Sequence, residues 1–266
     1  MTNPLVKFWD KCDLKIGPYF HPEDEKELFK KNGAFLADGK IKTYKEYLTR
    51  PEFSQLDSTK LHLSLLPVPY GGDLATADIF ILLLNPGVAY SDYLELENTA
   101  YRDAVEYTLR QDFSRTEFPF IWLNPEFSWH SGFKWWEEKL RSIIKIIAER
   151  KFNDNYLYAL RDLSQRLAMV ELVPYPSCKF GPESLAKNLS SAQAAMKYIH
   201  ETVVPLAQTG KKTLIVTRQI KTWRISNQGH EKNIVIYNSS EARGAHLTRN
   251  TRGGQAILRR YDLPDR

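Results

Sequence analysis

The sequence predicts an α/β fold with a central, mostly parallel, four-stranded sheet. Four short runs are almost wholly apolar, as in strands covered on both faces, and they occupy residues 77–84, 168–173, 214–216 and 233–237. Segments with helical periodicity separate these runs, and strands that alternate with helices form parallel sheets. No Gly-, Ser- or Pro-rich linker and no repeat divides the chain, so we expect one domain over residues 1–266.

The N-terminal sixty residues differ in character from the rest. They are polar, densely charged between 23 and 31, and interrupted by Pro18, Pro22 and Pro51. They predict a helical elaboration of residues 1–60 whose composition indicates no function. We expect the α/β core to occupy residues 61–266.

The first half of the core alternates as an α/β fold requires. After the strand at 77–84, residues 99–110 predict a helix and residues 118–123 predict a short aromatic strand. Residues 135–150 and 155–167 have the spacing of apolar residues that is typical of helices. These segments lead into the strand at 168–173.

The second half repeats the alternation. Residues 190–208 predict a helix with Gly210 just past its end, and Pro205 is expected to kink or shorten its last turn. A short helical stretch follows the third strand, and residues 254–260 predict a closing helix.

The net charge of +5 is unevenly distributed. Of the 37 basic and 32 acidic residues, eleven bases but only two acids lie between Pro205 and Arg260, so the remainder is slightly acidic. A basic C-terminal third is the footprint of a phosphate-backbone partner such as DNA. A solvated basic face is an equally weighted alternative.

Composition also excludes several classes of protein. Cys12 and Cys178 form neither a disulfide framework nor a metal-ligand spacing. The N-terminus lacks the pattern of a signal peptide, and no apolar stretch is long enough to cross a bilayer. We therefore expect a reduced, cytoplasmic protein without metal, cofactor or membrane partner, and a monomer.

The candidate site lies in the loops after the strands, because ligands bind beyond the carboxyl ends of a parallel sheet. The first strand ends in Leu84-Asn85-Pro86-Gly87, a sharp junction that presents Asn85 at the sheet edge. An Asn can hold a water through its carbonyl while its amide donates elsewhere. The alternative is an ordinary tight turn, since Asn-Pro recurs at 124–125.

Two further strand ends carry polar groups. Glu171 lies in an otherwise apolar strand, where a carboxylate needs either a basic partner or a ligand, and these two interpretations have equal weight. The loop 238–246 is rich in small donors, with Arg243 at its tip. Such a loop suits hydrogen bonds to phosphates and insertion into a duplex, although an ordinary surface loop has the same composition.

In their order along the chain, these segments resemble the uracil-DNA glycosylase superfamily. Leu84-Asn85-Pro86-Gly87 resembles its first motif, in the Asn version of the mismatch-specific and single-strand-selective branches. Asn238-Ser239-Ser240 resembles its second motif, although Ser239 replaces the Pro of that motif. Residues 170–176 are similar to the intervening base-reading strand, and residues 212–223 to the strand and helix before the second motif. The resemblance covers roughly residues 60–262.

The resemblance implies a three-layer α/β/α sandwich that flips a nucleotide out of DNA and hydrolyses its N-glycosidic bond. It implies that Asn85 positions the water, that Asn238 steadies the leaving base, and that Tyr90 or Phe120 stacks on the flipped ring. It assigns DNA contacts to Ser239, Ser240, Arg243 and His246. No lysine is placed as a Schiff-base nucleophile, so a monofunctional enzyme without strand cleavage is expected.

Glu171 occupies the base-reading position, where uracil-specific members carry Asn. A carboxylate accepts from an exocyclic amine and repels uracil O4, which favours a cytosine-type base. Excision of ordinary cytosine would destroy the host genome. We therefore expect a modified cytosine, such as a hypermodified base of bacteriophage DNA, and a role in antiviral defence.

Other interpretations stay open. One is a uracil or mismatch repair glycosylase, and another is a non-catalytic nucleic-acid-binding domain, in which replacement of Asn85 leaves binding unchanged. A nucleotide-binding enzyme of Rossmann type lacks both glycine-rich phosphate motifs. A metal hydrolase is disfavoured, because no His-x-x-x-His pairing occurs among His130, His200, His230 and His246.

Overall fold

The apolar runs form the centre of a five-stranded sheet in a mixed α/β fold. The computed structural model describes residues 3–30, 36, 41–50, 59–181 and 183–263. The strands are β1 (Tyr70–Gly71), β2 (Ile79–Leu83), β3 (Leu167–Glu171), β4 (Thr213–Val216) and β5 (Ile234–Ile236). Their order is β1-β3-β2-β4-β5, with β1 antiparallel to β3 and the other pairs parallel. The four predicted strands are confirmed, and β1 is an addition to them.

The sheet lies inside the core. Every residue of β2, β3 and β4 is buried, so both faces of these strands are covered, as continuous apolar runs require. Leu83 pairs with Glu171, and Leu82 pairs with Val216. The carboxyl ends of the three central strands therefore lie side by side.

Edge strand β1 depends on a glycine turn that the apolar pattern does not reveal. Gly72 follows β1 with φ of +78°, and a Cβ there would lie 2.0 Å from the carbonyl oxygen of Leu167. Only glycine allows the chain to leave β1 this close to β3. Two residues are also too few to show an alternating pattern.

Twelve α-helices are described. They are α1 (Pro4–Trp9), α2 (Glu25–Leu28), α3 (Tyr44–Leu48), α4 (Thr99–Arg110), α5 (Ser131–Lys151), α6 (Tyr156–Arg166), α7 (Leu185–Asn188), α8 (Ser190–Tyr198), α9 (Val204–Gln208), α10 (Ile220–Trp223), α11 (Ser239–Gly244) and α12 (Arg252–Arg259). Short 3₁₀ segments occupy Pro22–Asp24, Tyr90–Leu96, Ile121–Leu123 and Pro125–Phe127. No helix in these parts of the chain combines the length and the apolar character that crossing a bilayer requires.

The aromatic strand predicted at 118–123 is wrong, because this segment ends in the 3₁₀ turn Ile121–Leu123. Its backbone bonds to a side chain instead of a strand, since the N–H of Phe120 donates to Ser164 Oγ at 2.9 Å. The Phe120 ring packs edge-on against Trp136 of α5, with ring centroids 4.8 Å apart. Tertiary packing of aromatic rings therefore outweighs their preference for strands.

The predicted helix at 190–208 is present but carries a wider turn. α8 and α9 are joined by one π-helical turn, Ile199–Val203, and the N–H of Val204 donates to the carbonyl of Ile199. Pro205 follows this turn and has no N–H to donate. The wider turn accommodates the proline ring, so the helix continues to Gln208 instead of ending early.

The described part of the N-terminal segment belongs to the core. Leu5, Trp9 and Leu28 are buried in the main apolar cluster. Asp24 is fully buried and accepts hydrogen bonds from the Tyr175 hydroxyl and from the backbone N–H of Ser191. The predicted helical elaboration is thus tied to the loop after β3. Pro51 lies outside the described residues.

Candidate active site

A cavity opens at the carboxyl ends of the central strands. In the sheet, β3 lies on one side of β2 and β4 lies on the other, so the chain changes direction across the sheet after β3. The carboxyl end of β2 is therefore a topological switch point. The cavity has a volume of about 680 Å³, within the range of pockets that enclose small ligands. Its walls come from the loops after β2, β3 and β4 and from the start of α5.

Asn85 lies in the cavity wall directly after β2. Its Nδ2 donates to Ser177 Oγ at 2.8 Å and to the carbonyl of Pro86 at 2.9 Å. Both amide hydrogens are therefore used. Within the described residues Oδ1 accepts no hydrogen bond, so this oxygen is available to a water or a ligand.

The loops that hold Asn85 are bonded to each other beyond the strands. The N–H of Val173 donates to the carbonyl of Leu84 at 2.8 Å, and the N–H of Ser177 donates to the carbonyl of Pro86 at 3.1 Å. These bonds extend the pairing of β2 and β3 into the site. The position of Asn85 is consequently fixed by backbone as well as by its own amide.

Glu171 ends β3 and also lines the cavity. Its side chain is buried, with 5% of the residue exposed, and its Oε2 has no hydrogen-bond partner in the described structure. Burial raises the pKa of this carboxyl well above its ordinary value, and the positive charge of Arg218 partly opposes the rise. Of the two sequence interpretations, the geometry favours a group that faces a ligand.

A second polar group lies in another part of the cavity wall and consists of two acids, Asp92 and Glu95, with His130. His130 Nδ1 accepts from the N–H of Gly132 at 2.9 Å, so the proton of the neutral ring lies on Nε2. That atom is 3.6 Å from Asp92 Oδ1 and 3.8 Å from Glu95 Oε2. Burial raises the pKa of Glu95, and its interactions with His130 oppose the rise.

This acid group also fixes the start of α5. Asp92 accepts from the backbone N–H of Ser131 at 3.0 Å and from its hydroxyl at 2.7 Å. A carboxylate suits this position, because helix N-termini carry unpaired N–H groups and a partial positive charge. Among the residues that the structure describes, no group of three His, Cys, Asp or Glu has an arrangement suited to a metal ion.

Aromatic rings form much of the cavity wall, but they are not the rings expected from the sequence. The rings at the cavity are Tyr101, Trp122, Trp135, Trp136 and Phe180. Phe120 is fully buried behind Trp122 and Trp136, so the expected stacking role does not fit its position. Tyr90 packs on a small separate apolar cluster, and its neighbours Val88 and Ala89 reach the cavity instead.

Asn238 does not meet Asn85 in the cavity. It is exposed and caps α11, where its Oδ1 accepts from the N–H groups of Ser240 at 2.9 Å and Glu241 at 3.0 Å. In return, Glu241 Oε2 accepts from the backbone N–H of Asn238 at 2.7 Å, which completes a capping box. The residue expected to steady a leaving base is thus engaged in starting a helix.

The expected DNA-contact residues lie beside the cavity and not in its wall. All four are exposed: Ser239, Ser240, Arg243 and His246. Lys139 of α5 connects this segment to the cavity, since its Nζ donates to the carbonyl of Gly244 at 2.5 Å and lies 5.4 Å from the ring centroid of Trp135. The segment 238–246, predicted as a loop, instead consists largely of helix α11, and it adjoins the cavity rim.

The basic C-terminal third divides into structural and exposed residues. Lys212 is buried, bonds to the carbonyl of Ala77 and lies over the ring of Phe80. Arg252 forms an ion pair with Glu241 at 2.5 Å. The charge available to an external partner is therefore smaller than the sequence count suggests.

Arg218 is the site residue that sequence reasoning missed. It follows β4, lines the cavity, and its Nε is buried without a hydrogen-bond partner among the described residues. In the sequence, Arg218 was considered only as one of the eleven bases of the C-terminal third. The rule that directed attention to Asn85 and Glu171, to read the loop after each buried strand, would also have found it.

Comparisons with known proteins found no match, whether among family models, curated proteins or solved structures. The candidate site is therefore defined by the residues and distances described above.

Proposed function

We propose that this protein is a monofunctional DNA glycosylase that takes a flipped nucleotide into the cavity and hydrolyses its N-glycosidic bond, leaving an abasic site. The observation that carries the proposal is the presence of two unbonded side-chain oxygens in one cavity, at the switch point of the sheet. They are Oδ1 of Asn85 and Oε2 of Glu171. In this proposal the covered sheet is the centre of a three-layer α/β/α sandwich of the uracil-DNA glycosylase type.

Asn85 orients the attacking water in this mechanism. Its amide hydrogens are held by Ser177 and Pro86, so its Oδ1 accepts a hydrogen from the water and directs the water oxygen at C1′ of the sugar. The bond between C1′ and the base nitrogen breaks, and its electron pair leaves with the base. The water oxygen bonds to C1′ and its proton passes to solvent. A held, preorganised acceptor avoids reorganisation at the moment of reaction.

Glu171 supports a pyrimidine with an exocyclic amine as the substrate. Its carboxyl lies at the end of β3, two strand ends from Arg218, and accepts from an amine such as N4 of cytosine. The cavity of about 680 Å³ leaves room for a substituent on the ring. We propose a modified cytosine, such as a hypermodified base of bacteriophage DNA, and a role in antiviral defence.

The rim of the cavity supports DNA as the partner. Lys179 lies in the wall, and Lys139 connects the rim to the exposed helix α11 with Arg243. Cations next to a cavity hold phosphates on both sides of a flipped nucleotide. The indole of Trp135 at the same rim provides a flat surface for a base.

The test is a search for abasic sites. The protein is incubated with oligonucleotides or phage DNAs that carry uracil, thymine mismatches, hydroxymethylcytosine or glucosylated hydroxymethylcytosine. We expect abasic sites with a modified cytosine and no strand cleavage before alkali, and no covalent product on borohydride reduction. Asn85→Ala should lower the rate by about 10²–10³-fold, since it removes the group that positions the water, while DNA binding stays unchanged.

Other outcomes select other functions. Abasic sites with uracil or mismatches alone indicate a repair glycosylase. DNA binding without abasic sites on any substrate contradicts catalysis and indicates a nucleic-acid-binding domain. A thermal unfolding measurement on Asn85→Ala serves as the control for folding, because this variant also loses the bond to Ser177.

A further inference from the structure

Arg218 is a charged group of the cavity wall that the mechanism above does not use. It comes directly after β4, as Asn85 comes after β2 and Glu171 ends β3. Its Nε is buried and has no hydrogen-bond partner within the described residues. An unpaired buried donor is unfavourable in a folded protein, so the Nε of Arg218 is available to a ligand or a water in the cavity.

Glu171 carries a buried acceptor that also lacks a hydrogen-bond partner. Its Oε2 is buried and unbonded, in a side chain that is more than nine-tenths buried. The two side chains line one cavity and their charges interact, yet no nitrogen–oxygen pair between them comes within 4.0 Å. A direct ion pair would satisfy both groups. The two unbonded groups instead offer an acceptor and a donor to a ligand in the cavity that presents a donor to Glu171 and an acceptor to Arg218.

A cytosine-type base has such an edge. Its exocyclic amine is a donor, and its N3 and O2 are acceptors. When the N-glycosidic bond breaks, the electron pair that leaves with the base is delocalised onto N3 and O2. A guanidinium, which stays charged at all ordinary pH values, is well suited to this charge.

The expected helper for the leaving base is not available for this task. Asn238 is exposed and lies outside the cavity wall, at the cap of α11, so its side chain is not placed at a base bound in the cavity. Arg218 is inside the wall with a donor to spare. Both observations favour Arg218, and not Asn238, as the residue that stabilises the leaving base.

We propose that Arg218 is a catalytic residue that binds the acceptor edge of the base and stabilises its negative charge as it leaves, while Glu171 binds the amine of the same base. This inference rests on the proposed glycosylase function. The bond between C1′ and the base nitrogen breaks towards the base, the water oxygen bonds to C1′, and the water proton goes to solvent. No oxidant or reductant takes part.

The first experiment compares Arg218→Gln and Arg218→Lys with wild type on the substrate that gives abasic sites. Arg218→Gln should lower kcat by about 10²–10³-fold with little change in KM, because the charge develops only in the transition state. Arg218→Lys should recover part of this loss. Rates are also measured with C5 substituents that make the leaving base progressively more acidic. The loss should shrink as the base becomes a better leaving group.

A uniform loss across all leaving groups, or a rise in KM alone, overturns a role in leaving-group stabilisation. Arg224→Gln is the matched control, because Arg224 is an exposed arginine six residues further along, at the end of α10 and outside the cavity wall. It should retain wild-type rates.

The second experiment separates this inference from the proposed function. Free 5-nitrouracil, which is an anion at neutral pH, is titrated by calorimetry into Glu171→Gln and into the double variant Glu171→Gln/Arg218→Gln, because an amide at position 171 can donate to its O4. Glu171→Gln should bind it at least about tenfold more tightly than the double variant, since a charge-assisted hydrogen bond is lost. Equal affinities, or no binding to Glu171→Gln, overturn the inference even if abasic sites form. If the difference is found without abasic sites on any DNA, the proposed function fails and the anion site remains.

Discussion

At the scale of single residues, burial changes what Glu171 can recognise. An ionised carboxylate only accepts hydrogen bonds, and this property favoured cytosine over uracil in the sequence interpretation. In the cavity, burial raises the pKa of Glu171 well above its ordinary value. A neutral carboxyl both donates and accepts, so it matches the N3–N4 edge of cytosine and the N3–O4 edge of uracil equally well. Discrimination between the two bases then depends on the protonation of one group.

We predict that the preference for cytosine-type over uracil-type bases increases as pH rises. The raised pKa keeps Glu171 neutral at pH values where an ordinary carboxyl is ionised. As pH rises through this pKa, the ionised form appears and repels uracil O4. The measurement is the ratio of kcat/KM for two oligonucleotides that differ only in the target base.

Glu171→Gln is the matched variant, since its amide carries a donor and an acceptor at all pH values. Its base preference should not change with pH. The other titratable groups of the cavity wall are common to both proteins: Asp92, Glu95, Tyr101, His130, Cys178, Lys179 and Arg218. An identical pH dependence of the preference in wild type and variant would show that one of these groups, and not Glu171, controls it.

At the scale of elements, α11 explains the position of the second motif-like segment. Asn238 caps this six-residue helix, and Glu241 closes the capping box while forming an ion pair with Arg252 of α12. Caps suit Asn because its side-chain oxygen accepts from the first free N–H groups of a helix. The same residue type that resembles a catalytic motif is therefore also a good helix start.

Asn238→Asp and Asn238→Ala distinguish these two roles. The Asp variant keeps the capping oxygen, so its free energy of unfolding should match wild type, whereas the Ala variant should lose about 1 kcal/mol. If Asn238 only caps α11, the Asp variant should keep full glycosylase activity. Urea unfolding and single-turnover rates give both quantities. Loss of activity in a fully stable Asp variant would contradict a purely structural role.

The elements themselves were largely predictable, and the failures have physical causes. The central strands could be predicted because burial on both faces leaves a continuous apolar run, and the predicted helix at 99–110 coincides with α4. Residues 118–123 could not be predicted, since the aromatic rings of a 3₁₀ turn and of a strand give the same local pattern. β1 could not be predicted either, because it depends on a partner strand nearly one hundred residues away.

At the scale of the whole molecule, the two ends of the sheet differ. The carboxyl end carries the cavity, the exposed helix α11 with Arg243, and Lys139 between them. The amino ends of β4 and β5 carry a second, more open depression whose wall includes Lys232 and Arg259. Basic residues are present at both ends, so they do not by themselves indicate where DNA would bind. In the proposed function, the position of the cavity indicates it.

We predict that Arg243→Gln weakens DNA binding and that Arg259→Gln does not. Arg243 is exposed on α11 beside the cavity, whereas Arg259 lies by the amino ends of the strands, where it donates to the carbonyl of Lys232. Loss of one phosphate contact should lower the slope of log Kd against log salt by about 1. Fluorescence anisotropy with a short duplex at several salt concentrations provides this slope. An equal effect of the two variants would place DNA elsewhere on the molecule.

The location of the site could be predicted from the sequence, but not all of its residues could. Asn85 and Glu171 were found because parallel strands bring their carboxyl ends together. The stacking role predicted for Phe120 does not fit its buried position, since an aromatic residue in the core and one in a pocket wall look alike in the sequence. Arg218 also follows a buried strand, but it was missed because it was counted only among the eleven bases of the C-terminal third. The structure adds that its Nε is buried without a partner among the described residues.

The aromatic wall gives the protein a built-in optical signal. Three of its six tryptophans, Trp122, Trp135 and Trp136, line the cavity. Indole emission changes in colour and intensity when water leaves its surroundings or when a flat heterocycle stacks on it. If the proposed function holds, entry of a base into the cavity should therefore be visible in stopped-flow fluorescence without any label. The proposed base flipping and bond cleavage could then be timed separately in one reaction.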